Sequence, residues 1–96
     1  MPEVLMDVEW PDGGREWLYS PSTVVEDVFA AGAEYPLPVF LELTRQAMTE
    51  ASDRVQARFG FRCPRAAATL AGVEATAARL TDGSTDGVVR VAGFRR

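Results

Sequence analysis

Residues 3–20 read EVLMDVEWPDGGREWLYS, and this stretch decides the fold. Val4, Met6, Val8 and Trp10 fall on one face of an extended chain. Glu3, Leu5, Asp7 and Glu9 fall on the other. Period-two alternation with one polar face predicts a half-buried strand. PDGG at 11–14 supplies a turn: Pro11 presets φ, and the glycines accept positive φ. REWLYS at 15–20 alternates again, with Trp17 and Tyr19 on one face and Glu16 and Leu18 on the other. Two such segments about a turn predict a β-hairpin over 3–20.

Working outward, SPSTVVEDVFAAG at 20–32 offers Ser20 or Ser22 as a helix cap, Glu26 and Asp27 after it, and Gly32 as a stop. This predicts a short helix, although Thr23, Val24 and Val25 suit extended chain equally well. AEYPLP at 33–38 reads as a connector, because each proline favours extended backbone just before it. From 37 to 59, Phe40, Leu43, Ala47, Met48, Ala51, Val55 and Phe59 recur at three- and four-residue steps, which predicts a long helix buried on that face. Pro38 fits its first turn and Gly60 its end. A second helix starts at Pro64, after Arg62 or Cys63. Its seam is Ala66, Leu70, Val73, Ala77 and Leu80, and its many alanines make it slim. TDGSTDG at 81–87 reads as a loop and VVRVAGF at 88–94 as a strand.

The predicted order is β-β-(α)-α-α-β in a single domain spanning residues 1–96. The expected fold class is α+β, two-layer: a three-stranded, mostly antiparallel sheet, made of the N-terminal hairpin and the C-terminal strand, with two main helices on one face.

Composition narrows the chemistry. The chain has no histidine and no lysine, so all ten bases are arginine. Imidazole acid–base catalysis, imidazole metal ligation and lysine Schiff bases are excluded. GxxxxGK[ST], GxGxxG, CxxC and HExxH are absent, so no cofactor is expected. The net charge is −4 but uneven. Residues 1–34 hold eight acids and one arginine, and residues 35–96 hold six acids and nine arginines. An acidic total argues against nucleic acid as a partner. The polarity fits two ends of one domain that attract each other, or a protein-binding surface. Apolar runs fall far short of the ~20 residues of a membrane span, so no membrane association is expected. The N-terminus, MPEVLMDVEW, shows no basic and apolar leader pattern. With one cysteine and no internal disulfide, the expected setting is cytoplasmic.

Three groups are candidate sites. Cys63, in FGFRCPRAAATL at 59–70, stands at a helix start with Arg54, Arg58, Arg62 and Arg65 in a stretch that contains no acid. That is the setting in which a thiol becomes nucleophilic, and the arginines with free helix N–H groups could also hold an anion. The plain alternative is a small buried residue that starts a helix, with the arginines on a solvated face. Asp7, Glu9, Asp12 and Glu16 are hard-cation ligand types, but their spacing matches no known cage, so no metal site is assigned. Trp10, Trp17, Tyr19 and Tyr35 are either core packing or, where exposed beside the acidic hairpin, a protein interface.

WPDG at 10–13, YSPS at 19–22, GAEYPL at 32–37, RFGFRC at 58–63 and the alanine-rich helix after it resemble a family of small bacterial nitrogen starvation response proteins, first grouped from mycobacteria. The resemblance spans most of the chain and is weakest at VVRVAGF. It implies a gene neighbourhood with a nitrilase-type hydrolase, a radical SAM protein, an acetyltransferase-like protein and a flavin-dependent oxidoreductase. It implies no catalytic residues. The expectation is a non-catalytic accessory or regulatory protein that binds a neighbouring nitrogen-metabolism enzyme. The alternatives are a redox or anion sensor at Cys63 with Arg58, Arg62 and Arg65, and, less favoured, a small enzyme using carboxylate, arginine, tyrosine or serine. An exposed edge on a three-stranded sheet also admits a homodimer.

Overall fold

Pro11 and Gly13 close the hairpin in the computed structural model, which describes residues 3–82 and 87–96. Gly13 takes φ 89°, a left-handed conformation that costs glycine little. Its N–H donates to the Trp10 carbonyl at 2.9 Å, and the Gly14 N–H donates to Asp12 Oδ1 at 2.9 Å. The turn joins β1 (Val4–Glu9) to β2 (Arg15–Ser20) in antiparallel register, with Met6 opposite Leu18 and Asp7 opposite Trp17.

The next segment is helical over fewer residues than the caps suggest. Helix α1 (Val24–Val28) begins after Ser22, whose Oγ accepts from the Val24 N–H at 3.1 Å. It stops at extended Phe29 rather than at Gly32. Gly32, at φ 83°, turns the chain toward a strand instead.

That strand corrects the sheet. Residues 34–36, expected as connector, form β3 (Glu34–Pro36), and the sheet has four strands rather than three. β3 pairs antiparallel with β4 (Val88–Arg95), with Glu34 opposite Arg90 and Pro36 opposite Val88. Pro36 is tolerated because this is an edge, where no ladder N–H is required of it. A three-residue strand is too short to show alternation. The Tyr35 ring anchors it, meeting Phe29 edge-on at 5.3 Å while its hydroxyl accepts from the Ala30 N–H at 2.8 Å. The sheet order is β2-β1-β4-β3, and all pairings are antiparallel. Ala92 is an extra residue between Val91 and Gly93, so the register shifts between Asp7 and Val8.

Helix α2 (Leu37–Phe59) has the bounds that its prolines and Gly60 predict. Helix α3 (Pro64–Asp82) takes in the first two residues of the loop expected at 81–87, and 83–86 lie outside the described residues. One core joins the layers. Val4, Met6, Val8, Leu18, Val89 and Val91 of the sheet pack with Phe40, Ala47, Met48 and Ala51 of α2 and with Ala66, Val73, Ala77 and Leu80 of α3. Trp10 closes one end, meeting Phe40 edge-on at 5.6 Å. Among the described residues no helix is long and apolar enough to cross a membrane.

Candidate functional site

The corner between α2 and α3 gathers most of the residues singled out in the sequence. Gly60, in the left-handed conformation, ends α2, and its N–H donates to the Gln56 carbonyl at 2.8 Å. Pro64 opens α3, and the Cys63 carbonyl accepts the first helical bond from the Ala67 N–H. Thr69 Oγ1 can donate to the Tyr19 carbonyl at 2.9 Å, which ties α3 to the β2 edge. The Arg65 carbonyl, at 3.0 Å, is its alternative acceptor.

The arginines do not converge on Cys63 as an open positive group. Acids from other parts of the chain meet them: Arg54 pairs with Glu50 at 3.0 Å, Arg62 with Asp53 at 3.0 Å, and Arg65 with Glu3 at 3.7 Å. These are exposed pairs of small energetic value, each on the order of 0.5 kcal/mol. The Arg65 guanidinium lies over the Tyr19 ring, and Arg58 lies over Phe59 at 5.7 Å. Burial pushes the Tyr19 phenol above its ordinary 10.0. The Glu3 carboxylate and then Cys63 add to the rise, and the Arg65 charge opposes it. Tyr19 therefore stays a neutral phenol at neutral pH.

Cys63 is half-buried between two grooves. One, of about 310 Å³, runs between Tyr19 and Pro21 on one side and Val55, Phe59 and Phe61 on the other. The second, of about 200 Å³, lies between α2 and the start of α3, with Met48, Ser52 and Leu70 in its walls.

The aromatic candidates separate. Trp10 is 5% exposed, and its Nε1 donates to Glu16 Oε1 at 2.7 Å, so it is core and not interface. Tyr35 is half-buried against Phe29, and Tyr19 is half-buried under Arg65. Trp17 is 50% exposed. Of the acids near the turn, three are engaged separately, Asp7 with Arg15 at 2.8 Å, Asp12 with the Gly14 N–H and Arg79, and Glu16 with Trp10, while Glu9 makes no ion pair among the described residues. Among the described residues no three metal-ligand side chains cluster.

Sequence reasoning missed an exposed aromatic pair. Phe59, placed by periodicity on the buried face of α2, is 55% exposed, and Phe61 is 61% exposed. Their rings lie 6.3 Å apart. The signal was present in RFGFRC, where two phenylalanines flank the glycine that ends the helix.

No curated protein and no solved structure matches the chain. Residues 5–94 match the model of the family described as nitrogen starvation-induced protein NitG. That span takes in the hairpin, the Phe59–Arg65 corner and β4, so the chain belongs to the nitrogen starvation-induced NitG family.

Proposed function

We propose that this protein is a non-catalytic accessory or regulatory component of the nitrogen-starvation response, and that it acts by binding an enzyme of nitrogen metabolism through the α2–α3 corner. The observation that carries the reading is the Phe59–Phe61 pair. Two large side chains are more than half exposed, side by side, beside a groove. Exposed aromatic clusters rimmed by arginine are typical anchors of protein interfaces. Arg58 lies over Phe59 and makes no ion pair among the described residues, so the partner surface is expected to place a carboxylate there beside an apolar pocket. The absence of histidine and lysine from the chain weighs against a catalytic role.

The test is affinity capture from nitrogen-starved cells with tagged wild-type protein and with a Phe59→Ser/Phe61→Ser variant, followed by reconstitution with the purified enzyme. Substitutions at exposed positions should change stability by no more than about 0.5 kcal/mol each. Stoichiometric recovery of one nitrogen-metabolism enzyme by wild type, lost in the folded variant, is the expected result. Equal recovery by both, or none by wild type, overturns the reading.

A second reading rests on Cys63, which is half-buried at the junction of two grooves. It makes the corner a redox sensor in which hydrogen peroxide oxidises the Cys63 thiol to a sulfenic acid and is itself reduced to water. Unchanged growth of a Cys63→Ser strain under nitrogen starvation with oxidant would dispose of it.

A further inference from the structure

The face of the sheet turned away from the helices carries one row of charges across all four strands. Arg15 on β2 is the register partner of Glu9 on β1. Glu9 is the partner of Arg90 on β4, and Arg90 of Glu34 on β3. In sheet order the charges run plus, minus, plus, minus. Arg15, Arg90 and Glu34 are exposed and Glu9 is half-buried.

Alternation within a row is useful to a sheet by itself, because opposite charges on neighbouring strands attract. The side chains do not use it that way. Arg15 turns to Asp7 at 2.8 Å, while Glu9, Arg90 and Glu34 make no ion pair among the described residues.

The row has a second property. Reversed, it reads minus, plus, minus, plus. A twofold axis parallel to the strands, between β1 and β4, would lay every charge of one copy on an opposite charge of the other. Arg15 would meet Glu34 and Glu9 would meet Arg90, each contact occurring twice. We infer that this face is a homodimer interface, on which a second copy of the chain stacks face to face about that axis. Sheet twist splays the outer strands of stacked sheets, so the central Glu9–Arg90 contacts are the tightest.

The next row supports the same packing. It runs Trp17, Asp7, Gly93. Trp17 is half exposed, and a Cβ built on Gly93 would have nothing within 4 Å. The missing side chain leaves room beside the axis for the indole of the other copy.

The face is small. Strands of six, six, eight and three residues, each about 3.3 Å long per residue and about 4.8 Å apart, make roughly 360 Å² per copy. A standard interface buries about 800 Å² per partner. The dimer is therefore weak and dependent on its charges, which salt screens over about 10 Å at 0.1 M.

Sedimentation equilibrium of the full chain tests this at about 20 mM and about 500 mM salt, with protein up to about 1 mM. The expected result is a dimer at low salt whose dissociation constant rises at least about tenfold at high salt. Gly93→Arg, which adds a side chain into open space, should give a folded monomer. Glu9→Arg and Arg90→Glu should each be monomeric, because like charges then meet across the axis. The double swap Glu9→Arg/Arg90→Glu should dimerise again. That swap is decisive, because it destroys the alternation within one molecule and restores complementarity between two. A monomer at every concentration in low salt overturns the proposal. So does a dimer indifferent to salt and to Gly93→Arg, or a folded double swap that stays monomeric. If Gly93→Arg proves unfolded by circular dichroism, the two single swaps and the double swap decide.

Discussion

The guanidinium carbon of Arg65 lies 3.7 Å from the centre of the Tyr19 ring, joining the first turn of α3 to the edge strand β2. Arg65 also holds down the Tyr19 ionisation that burial and Glu3 raise. Removing it by Arg65→Ala should therefore move that ionisation further up. Phenolate absorbance titration, taken as the difference against Tyr19→Phe, reads the effect. A downward move in Arg65→Ala would contradict it. The sign for stability follows from the direction of the shift. The folded state holds the phenol proton more tightly than the unfolded chain does. The contribution is thus fully present below pH 10.0, and it is lost as pH rises through the raised folded value. Wild type should lose more stability than Tyr19→Phe in that alkaline range.

Gly87 sits where a Cβ would come within 2.4 Å of the Pro11 Cβ, with the Pro11 Cα at 3.4 Å. A proline ring cannot swing aside, so relief requires the hairpin turn and the start of β4 to separate. Gly87→Ala is expected to cost about 1–3 kcal/mol. Urea unfolding of the variant checks this, and wild-type stability would show that the two segments part freely. Gly93→Ala, with open space around it, is the matched control and should be close to neutral.

Thr69 is the polar link between α3 and β2. Thr69→Val keeps the shape, removes the hydroxyl and leaves the edge carbonyl of Tyr19 without its protein donor. The expected loss is about 1 kcal/mol. The same change should speed amide exchange in β2 relative to β1, because β2 then loses a hydrogen bond on the side away from the hairpin ladder. Equal exchange in the two strands would mean that the Thr69 contact does not anchor the edge.

Much of this architecture was legible in local pattern. The ends of α2 were readable because Pro38 and Gly60 act on the backbone next to them. Of the predicted seam, Ala66, Val73, Ala77 and Leu80 are buried where their spacing placed them, and Leu70 is half-buried. The hairpin faces followed from alternation, with Met6, Val8 and Leu18 inward and Trp17 outward. β3 was not legible, because three residues ending in proline carry no period and the strand exists only through its pairing with β4. Phe59 misled for a related reason. Periodicity says which face of a helix a residue shares, but burial at a helix end depends on whether another layer reaches that far.

The site divides along the same line. Cys63 at a helix start, beside Pro64, was a matter of sequence, because capping is decided within a few residues. Its electrostatic surroundings were not. The stretch 54–65 contains no acid, yet Glu50, Asp53 and Glu3 come to its arginines from the preceding turns of α2 and from the far end of the chain. The sequence by itself determined the hairpin, the C-terminal strand and the two long helices, with their apolar faces except at Phe59, because those choices depend on neighbours along the chain. Only the tertiary structure decided the order β2-β1-β4-β3, the exposure of Phe59 and Phe61, and the row Arg15, Glu9, Arg90, Glu34. Those depend on bringing together residues up to ninety positions apart, and no local pattern encodes such a pairing.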